Sequence, residues 1–287
     1  MPYLRALAFV AAMAGFLILV APVQFMARRY DWPLQHRIQL FFCRVICAVL
    51  GLRVTVHGRI PGDSPRFIVA NHISWTDVIA LASVHPLVFL AKKEVASWPV
   101  LGHLARLQGT IFVDRANRRA IPEVNAELAK RLRQGRDIVI FAEGTSSDGA
   151  KVLKFNASHF ATLSDFTQNE ASSLAVTVAP AALAYTRADA KYPSKSSHYD
   201  VGWYGDMAFV PHLWNLMRRG GARCHILFGE SLAPAFCGDR KTLAQAAEAR
   251  VRRLLETAFA AQSPTTMIEN AQNDSQEPPK FQTPFRN

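Results

Sequence analysis

A histidine and an aspartate lie five positions apart, directly after a short apolar run. His72 and Asp77 follow residues 67–70 (FIVA), which predict a buried strand, and precede residues 78–82 (VIALA), which predict the start of a helix. Loops that follow the strands of open α/β sheets collect catalytic groups. A neutral imidazole can take a proton from a hydroxyl, and a nearby carboxylate can fix its tautomer and stabilise the imidazolium. The pair is therefore a candidate general base with its orienting group.

Ser74 and Asp77 also fit the start of a helix without any chemistry. A serine followed three residues later by an acidic residue is a pattern that satisfies the free N–H groups of a first helical turn. Under this interpretation Asp77 is a capping group and His72 a polar turn residue. The two interpretations are compatible, because a cap that holds the carboxylate beside the imidazole preorganises the pair.

Three further segments place polar residues next to predicted strands. Residues 109–115 (GTIFVDR) form a strand candidate that ends in an arginine. Residues 141–145 (FAEGT) follow a strand candidate at 137–140, and residues 178–183 (VAPAAL) are another apolar run. Together with the histidine segment, they give four short motifs in a fixed order along the central half of the chain.

The four motifs, in this order and spacing, resemble those of the PlsC-type lysophospholipid acyltransferase family. That family is usually described by NHxxxxD, GxxFxxR, FPEGT and a VxPxxL-like strand, and the resemblance covers about residues 53–183. It implies acyl transfer from a thioester to a lipid hydroxyl, with His72 as the base and Asp77 as its orienting group. It also implies a set of substrate-binding residues, namely Gly109, Arg115, Glu143, Gly144, Thr145 and Pro180.

Within that set, the side chains differ in what they can do. The Arg115 fork suits a phosphate or carboxylate, although a structural ion pair with Glu143 is an alternative. Glu143 is expected to hold Arg115 or the turn in place rather than to touch an anion. A backbone N–H near the turn at 143–145 is the candidate donor to the tetrahedral oxyanion. The acceptor hydroxyl attacks directly, so no serine or cysteine nucleophile is required.

The chain departs from the family pattern at two positions. Ala142 replaces the usual proline before the glutamate, and Asn156 stands where the family often carries a lysine. The resemblance implies that the acceptor is 1-acyl-sn-glycerol-3-phosphate, which gives phosphatidic acid. Lyso-ornithine lipid, which has no phosphate, is the alternative, and the aromatic-rich residues 203–214 resemble a segment of such enzymes. That segment contacts lipid or shapes an acyl tunnel, or it packs under the C-terminal helix.

The donor in this family is an acyl-CoA or an acyl carrier protein, so the resemblance implies a co-substrate and no cofactor. The four cysteines form no CxxC pair, and no cluster of histidine and cysteine has the spacing of metal ligands. We therefore expect no metal site. A non-catalytic membrane-binding module is the rival from another class, and the presence of His72, Asp77, Arg115 and Glu143 together argues against it.

Strand and helix patterns alternate from residue 53 to residue 232, which predicts an α/β fold. By resemblance it is a single acyltransferase domain with a mixed sheet flanked by helices, preceded by an N-terminal membrane-associated helical pair. The expected organisation is 1–52 for the anchoring helices, 53–262 for the catalytic domain and 263–287 for a disordered tail. The strand candidates are 54–57, 67–70, 87–91, 109–113, 137–141, 175–184 and 224–229, and the helix candidates beyond the anchor include 121–134 and 239–262.

The N-terminal segment predicts attachment to a membrane. Residues 6–26 are mostly apolar and long enough to span a bilayer, and no cleavage site of the A-x-A type follows them. Arg28 and Arg29 follow this run, against a single Arg5 before it, which predicts that the catalytic part lies on the cytoplasmic side. The expected location is a bacterial inner membrane. Residues 34–52 predict either an amphipathic helix at the interface or a helix packed on the core.

The formal net charge is +11, which favours acidic partners. Pairs of basic residues are scattered, and they carry no RNA-binding aromatic signature or heptad repeat. A nucleic-acid-binding protein would account for the charge but not for the N-terminal apolar run. We therefore expect membrane lipid, an acceptor lysolipid and an acidic acyl donor as partners, and no nucleic acid.

Overall fold

A seven-stranded mixed sheet forms the centre of the protein. The computed structural model describes residues 2–63, 65–167, 174–187, 193–194, 198, 200–233 and 239–260, so the predicted tail lies outside the described residues. Every predicted strand forms, with ends that differ by at most three residues. The strands are β1 Leu52–His57, β2 Arg66–Ala70, β3 Val88–Lys92, β4 Ile111–Val113, β5 Ile138–Phe141, β6 Thr177–Arg187 and β7 Ala222–Phe228.

The strand order is β1-β7-β6-β2-β5-β3-β4, and only the β6–β7 pair is antiparallel among these strands. Strands β2 to β6 therefore end on the same edge, here called the carboxyl edge. In the register, Ala70 at the end of β2 lies opposite Phe141 of β5 and Ala181 of β6. Strand β6 continues past that point to Arg187, so its last residues lie beside the loop that follows β2.

Helices cover both faces of the sheet, and two apolar clusters fill the space between the layers. The predicted helices at 121–134 and 239–262 are present as α6 and α9. The helices are α1 Pro2–Gly15, α2 Ala21–Arg29, α3 Leu34–Leu50, α4 Thr76–Val84, α5 Leu101–Leu107, α6 Ile121–Arg133, α7 Ser164–Thr167, α8 Phe209–Arg218 and α9 Arg240–Ala260.

The N-terminal helix is continuous from α1 to α2 through a π-helical turn at Phe16–Val20. Among the described residues, this stretch, Pro2–Arg29, has the length and apolar composition of a membrane span. It lies against the domain at both ends: the rings of Tyr3 and Trp214 are 5.3 Å apart, and Gln24 Nε2 donates to the Leu107 carbonyl at 3.2 Å. Its outward face leaves large apolar side chains exposed, namely Leu4, Leu7, Val10, Ile18, Leu19, Phe25 and Met26.

Helix α3 packs on the core, which was one of the two interpretations of its sequence. Ile38, Phe42 and Ile46 are buried, while Phe41 on the opposite face is 61% exposed. Met13 and Phe16 of the preceding helix belong to the same apolar cluster as the inner sheet residues. The first 50 residues therefore share a core with the α/β domain.

Candidate active site

His72 and Asp77 meet in the loop between β2 and α4, at the carboxyl edge of the sheet. The Nδ1 atom of His72 is 2.8 Å from Oδ2 of Asp77, and the Asp77 side chain is fully buried. A buried carboxylate accepts from Nδ1–H, so this contact selects the tautomer whose Nε2 carries a lone pair. The geometry is that of a histidine base held by a carboxylate.

The N-cap of α4 is Trp75 rather than Ser74, and no side chain caps it. The Asp77 carboxylate instead holds the two residues before Trp75. Its Oδ2 accepts from the backbone N–H groups of Ile73 at 2.7 Å and Ser74 at 2.9 Å. The Ser74 hydroxyl contributes little, since its Oγ is 3.4 Å from the Thr76 nitrogen. The predicted cap at Ser74 does not form, and the same carboxylate is held at the helix start beside the imidazole.

The imidazole of His72 lies flat on a neighbouring aromatic ring. Its centroid is 4.1 Å from that of Phe141, with an angle of 14° between the planes. The side chain keeps 17% of its surface exposed, and Nε2 meets no hydrogen-bond partner in the described parts of the chain. An exposed, unprotonated Nε2 on a fixed ring can accept a proton from a hydroxyl that enters from solvent or lipid.

The loop after β5 folds over the histidine. The N–H of Ser147 donates to the His72 carbonyl at 2.9 Å, and the N–H of Asn156 donates to the Ala142 carbonyl at 2.7 Å. Glu143 lies beneath this loop, where its Oε1 accepts from the Leu153 N–H at 3.2 Å. Burial raises the pKa of Glu143 to about 8, so the side chain is a neutral acid at pH 7. Glu143 therefore holds the loop.

Arg115 lies next to this loop, after β4. Its Nη1 donates to the Gly144 carbonyl, and its described contacts include no bond to Glu143. Burial lowers the pKa of Arg115, although Glu94 opposes this shift, and the guanidinium stays charged at neutral pH. The structure thus brings Arg115, Gly144 and the histidine loop to one edge of the sheet.

Three other predicted site residues are placed differently. Gly109 precedes β4, at the opposite end of that strand from Arg115, and an added Cβ would lie 3.4 Å from the guanidinium carbon of Arg28. Its φ of +81° explains the glycine as a turn residue. Pro180 is buried within β6, opposite Val69. Thr145 is exposed in the loop, where its hydroxyl contacts the Ser146 carbonyl at 3.3 Å.

Asn156, which replaces the family lysine, has a local structural role. Its Oδ1 accepts from the Ser158 N–H at 2.9 Å and caps the 3₁₀ helix Ala157–Leu163. A lysine cannot make this contact, because its ammonium is only a donor. Asn156 therefore serves as a helix cap in this structure.

The aromatic residues of segment 203–214 surround the start of α4. The backbone N–H of Trp203 donates to the Ile73 carbonyl at 2.9 Å, and the Trp75 and Phe209 rings are 5.1 Å apart. Trp75 Nε1 donates to His212 Nδ1 at 3.1 Å. These contacts run to the histidine loop and, through Trp214, to α1. Lipid contact, an acyl tunnel and packing under the C-terminal helix stay predictions for this segment.

Sequence analysis missed two polar side chains close to Asp77. Tyr185 Oη donates to Asp77 Oδ1 at 2.6 Å, and the Tyr185 N–H donates to His198 Nε2 at 2.8 Å. Both side chains are fully buried. A tyrosine and a threonine at the end of an otherwise apolar strand were the available signal, while His198 lies in a polar stretch without a motif.

The comparisons with known proteins agree with this geometry. The family model described as Acyltransferase matches residues 53–184. A lyso-ornithine lipid O-acyltransferase of Brucella abortus is 36% identical over 89% of this chain and 96% of its own length. A second one, from Rhizobium meliloti, is 33% identical over 85% of each chain. A 1-acyl-sn-glycerol-3-phosphate acyltransferase of Neisseria meningitidis is 35% identical, over 55% of this chain and 60% of its own.

A solved structure has the same fold. The crystal structure of the 1-acyl-sn-glycerophosphate acyltransferase PlsC from Thermotoga maritima superposes with a TM-score of 0.63. The match covers 91% of this chain and 97% of the other, at 20% sequence identity. The predicted mixed sheet flanked by helices is confirmed by this likeness.

Proposed function

We propose, from the premise that this chain belongs to the PlsC-type lysophospholipid acyltransferase family, that its acceptor is lyso-ornithine lipid. The chain is an O-acyltransferase, as the sequence motifs predicted. The observation that carries the chemistry is the His72–Asp77 pair at the carboxyl edge, with Arg115 on the neighbouring loop and no partner for Nε2 within the described residues.

The reaction follows from that arrangement. His72 Nε2 takes the proton of the acceptor hydroxyl while its oxygen attacks the thioester carbonyl. A carbon–oxygen bond forms, the carbon–sulfur bond breaks, and the proton passes from His72 to the departing thiolate. Asp77 holds the imidazole and stabilises its transient positive charge.

The tetrahedral oxyanion requires donors near the same loop. The backbone N–H of Gly144 donates to the Phe141 carbonyl, and the backbone N–H of Ser147 donates to the His72 carbonyl. The N–H groups of Thr145 and Ser146 have no acceptor within the described residues, and we assign the oxyanion site to them. Glu143 keeps this loop in place as a neutral acid.

The relatives support the choice of acceptor. Four similar proteins bear the name lyso-ornithine lipid O-acyltransferase and match 73% to 89% of this chain. An ornithine headgroup presents one carboxylate, which the single Arg115 fork suits, whereas a phosphate monoester carries up to two negative charges. Asn156 adds no positive charge, which suits an acceptor that carries one carboxylate better than one that carries a phosphate. Lysophosphatidate is the second candidate, supported by the Neisseria relatives that match 53% to 55% of the chain.

Attachment to one leaflet of the bacterial inner membrane is part of the proposal. The N-terminal helix, about 42 Å long at 1.5 Å per residue, contacts the domain near both ends through Tyr3 and Gln24. A helix held along the domain in this way presents its apolar face to one leaflet, and the catalytic edge then lies on the cytoplasmic side. The donor is an acyl-CoA or an acyl carrier protein, both acidic, and the net charge of +11 favours either.

One assay tests the proposal. The purified full-length enzyme in detergent micelles receives each labelled acyl donor, with lyso-ornithine lipid or lysophosphatidate as acceptor. We expect a higher kcat/KM for lyso-ornithine lipid, and a loss of at least about a hundredfold in His72→Ala. His103→Ala, at an exposed histidine of α5, is the matched control and should keep wild-type activity. A preference for lysophosphatidate would establish the second candidate, and an active, folded His72→Ala protein would contradict the mechanism.

A further inference from the structure

Two hydroxyl groups lie behind Asp77, on the side away from His72. Tyr185 Oη is 2.6 Å from Asp77 Oδ1, and Thr76 Oγ1 is 2.9 Å from the same Tyr185 oxygen. All three residues are fully buried. No family motif in the sequence contains Tyr185, and the mechanism described above does not use it.

The directions of these hydrogen bonds are set by the carboxylate. An ionised Asp77 has only acceptors, so Tyr185 donates to Oδ1, and Thr76 must then donate to the tyrosine oxygen. Burial and the Asp77 charge raise the pKa of Tyr185 well above its usual range, so the phenol keeps its proton. The result is an oriented series of hydrogen bonds that runs from Thr76 through Tyr185 to Asp77 and on to His72.

We propose that Tyr185 is a positioning residue for acyl transfer, which acts on His72 through Asp77. Its hydroxyl occupies Oδ1 and thereby keeps Oδ2 directed at the imidazole Nδ1. It also draws negative charge away from Oδ2, which limits the basicity of His72. This inference rests on the proposed function for its catalytic consequence, while its effect on the imidazole is independent of substrate.

The backbone around Tyr185 is held as firmly as its side chain. His198 accepts from the Tyr185 N–H and donates from Nδ1 to the Gly149 carbonyl at 2.9 Å. Gly149 belongs to the loop that covers His72, so this contact links that loop to β6. The tyrosine therefore has little freedom to leave Asp77, as expected for a group that determines the position of another.

Removal of the hydroxyl has a predictable electrostatic effect. In Tyr185→Phe, Oδ1 loses its donor and more of the Asp77 charge acts on the imidazolium of His72. A stronger anionic neighbour raises the pKa of a histidine. The reaction needs neutral His72, so the acid limb of the kcat/KM profile should move to higher pH. The loss of a hydrogen bond to a charged group should lower kcat about tenfold, while KM for the acceptor stays unchanged because Tyr185 does not touch it.

The test combines kinetics with an NMR titration of His72 in the labelled full-length protein in micelles. We expect Tyr185→Phe to raise the His72 pKa by roughly half a unit or more and to lower kcat. Thr76→Val removes only the hydroxyl that donates to Tyr185. It should raise the His72 pKa and lower kcat by smaller amounts than Tyr185→Phe does. Tyr30→Phe, at an exposed tyrosine that follows α2, is the matched control and should keep the wild-type His72 pKa and kcat.

The possible outcomes separate the two proposals. A folded Tyr185→Phe protein with wild-type pKa and kcat overturns the inference, and so does a loss of thermal stability without any change in the His72 pKa. If Tyr185→Phe does not fold, Thr76→Val decides by the same two measurements. If Tyr185→Phe raises the His72 pKa but the wild-type protein acylates neither acceptor, the positioning of His72 is supported and the proposed function is refuted.

Discussion

A buried pair of histidines should make the stability of this protein depend on pH. His57 Nε2 and His225 Nδ1 are 2.9 Å apart on the neighbouring strands β1 and β7, and His225 Nε2 is 2.8 Å from the Thr186 hydroxyl. Burial lowers the pKa of His225 to about 4, with further contributions from His57 and Arg223. The pair is therefore neutral in the folded protein at pH 7.

The sign of the effect follows from the lowered pKa. The unfolded chain binds a proton near pH 6.5, while the folded chain resists it until about pH 4. The stability that His225 contributes is complete above pH 6.5 and is lost as the pH falls towards 4. For these two pKa values, linkage gives a loss of about 2 kcal/mol between pH 7 and pH 5.

Urea unfolding of wild type and His225→Gln at pH 7 and pH 5, in the same detergent, measures this loss. Glutamine can still donate to Thr186 and has no proton to gain. We expect the stability difference between the two proteins to change by about 2 kcal/mol in favour of the variant at pH 5. His103→Gln, at the exposed histidine of α5, is the control. Parallel pH dependences for wild type and His225→Gln would refute the reasoning.

Two other predictions concern the loop that covers His72 and the attachment to the membrane. Gly149→Ala places a Cβ 2.5 Å from His198 Nδ1 and 2.9 Å from Ile73, so we expect it to lower kcat about tenfold or more and to reduce thermal stability. Gly205→Ala is the control for the general cost of a side chain at positive φ, because its added Cβ meets nothing within 4 Å. Equal activity in the two variants would contradict the expectation. Membranes that carry the protein should release it with detergent but not with 1 M salt, which screens exposed charges beyond a Debye length of about 3 Å. Release by salt alone would show that charge holds the protein on the membrane.

The sequence predicted the edge of the sheet at which the candidate catalytic residues meet. The short apolar runs before His72 and Glu143 have the composition of buried parallel strands, and such strands end together, so their following loops meet. The cap pattern of Ser74 and Asp77 predicted a carboxylate held at a helix start. These features are local, and local patterns are readable without the tertiary structure.

The parts that were not predicted depend on contacts between distant residues. Tyr185 reaches Asp77 only because β6 pairs with β2 and extends past its end, and no spacing in the sequence reports that register. Gly109 belongs to the same motif as Arg115, yet a strand separates them and places the glycine at the opposite edge of the sheet. The motif therefore combines a turn residue with an arginine at the carboxyl edge, which is the candidate binding residue.

The shared core of the N-terminal helices and the sheet makes the two parts of the chain one folding unit. The outward face of these helices is apolar and exposed, while their inner face supplies part of that core. The rest of the chain cannot complete its packing without Phe16, Phe42 and Leu50, which lie in the common cluster. Removal of residues 1–50 should therefore destabilise the α/β domain itself, and we expect the truncated protein to be cleaved by a protease faster than the full chain.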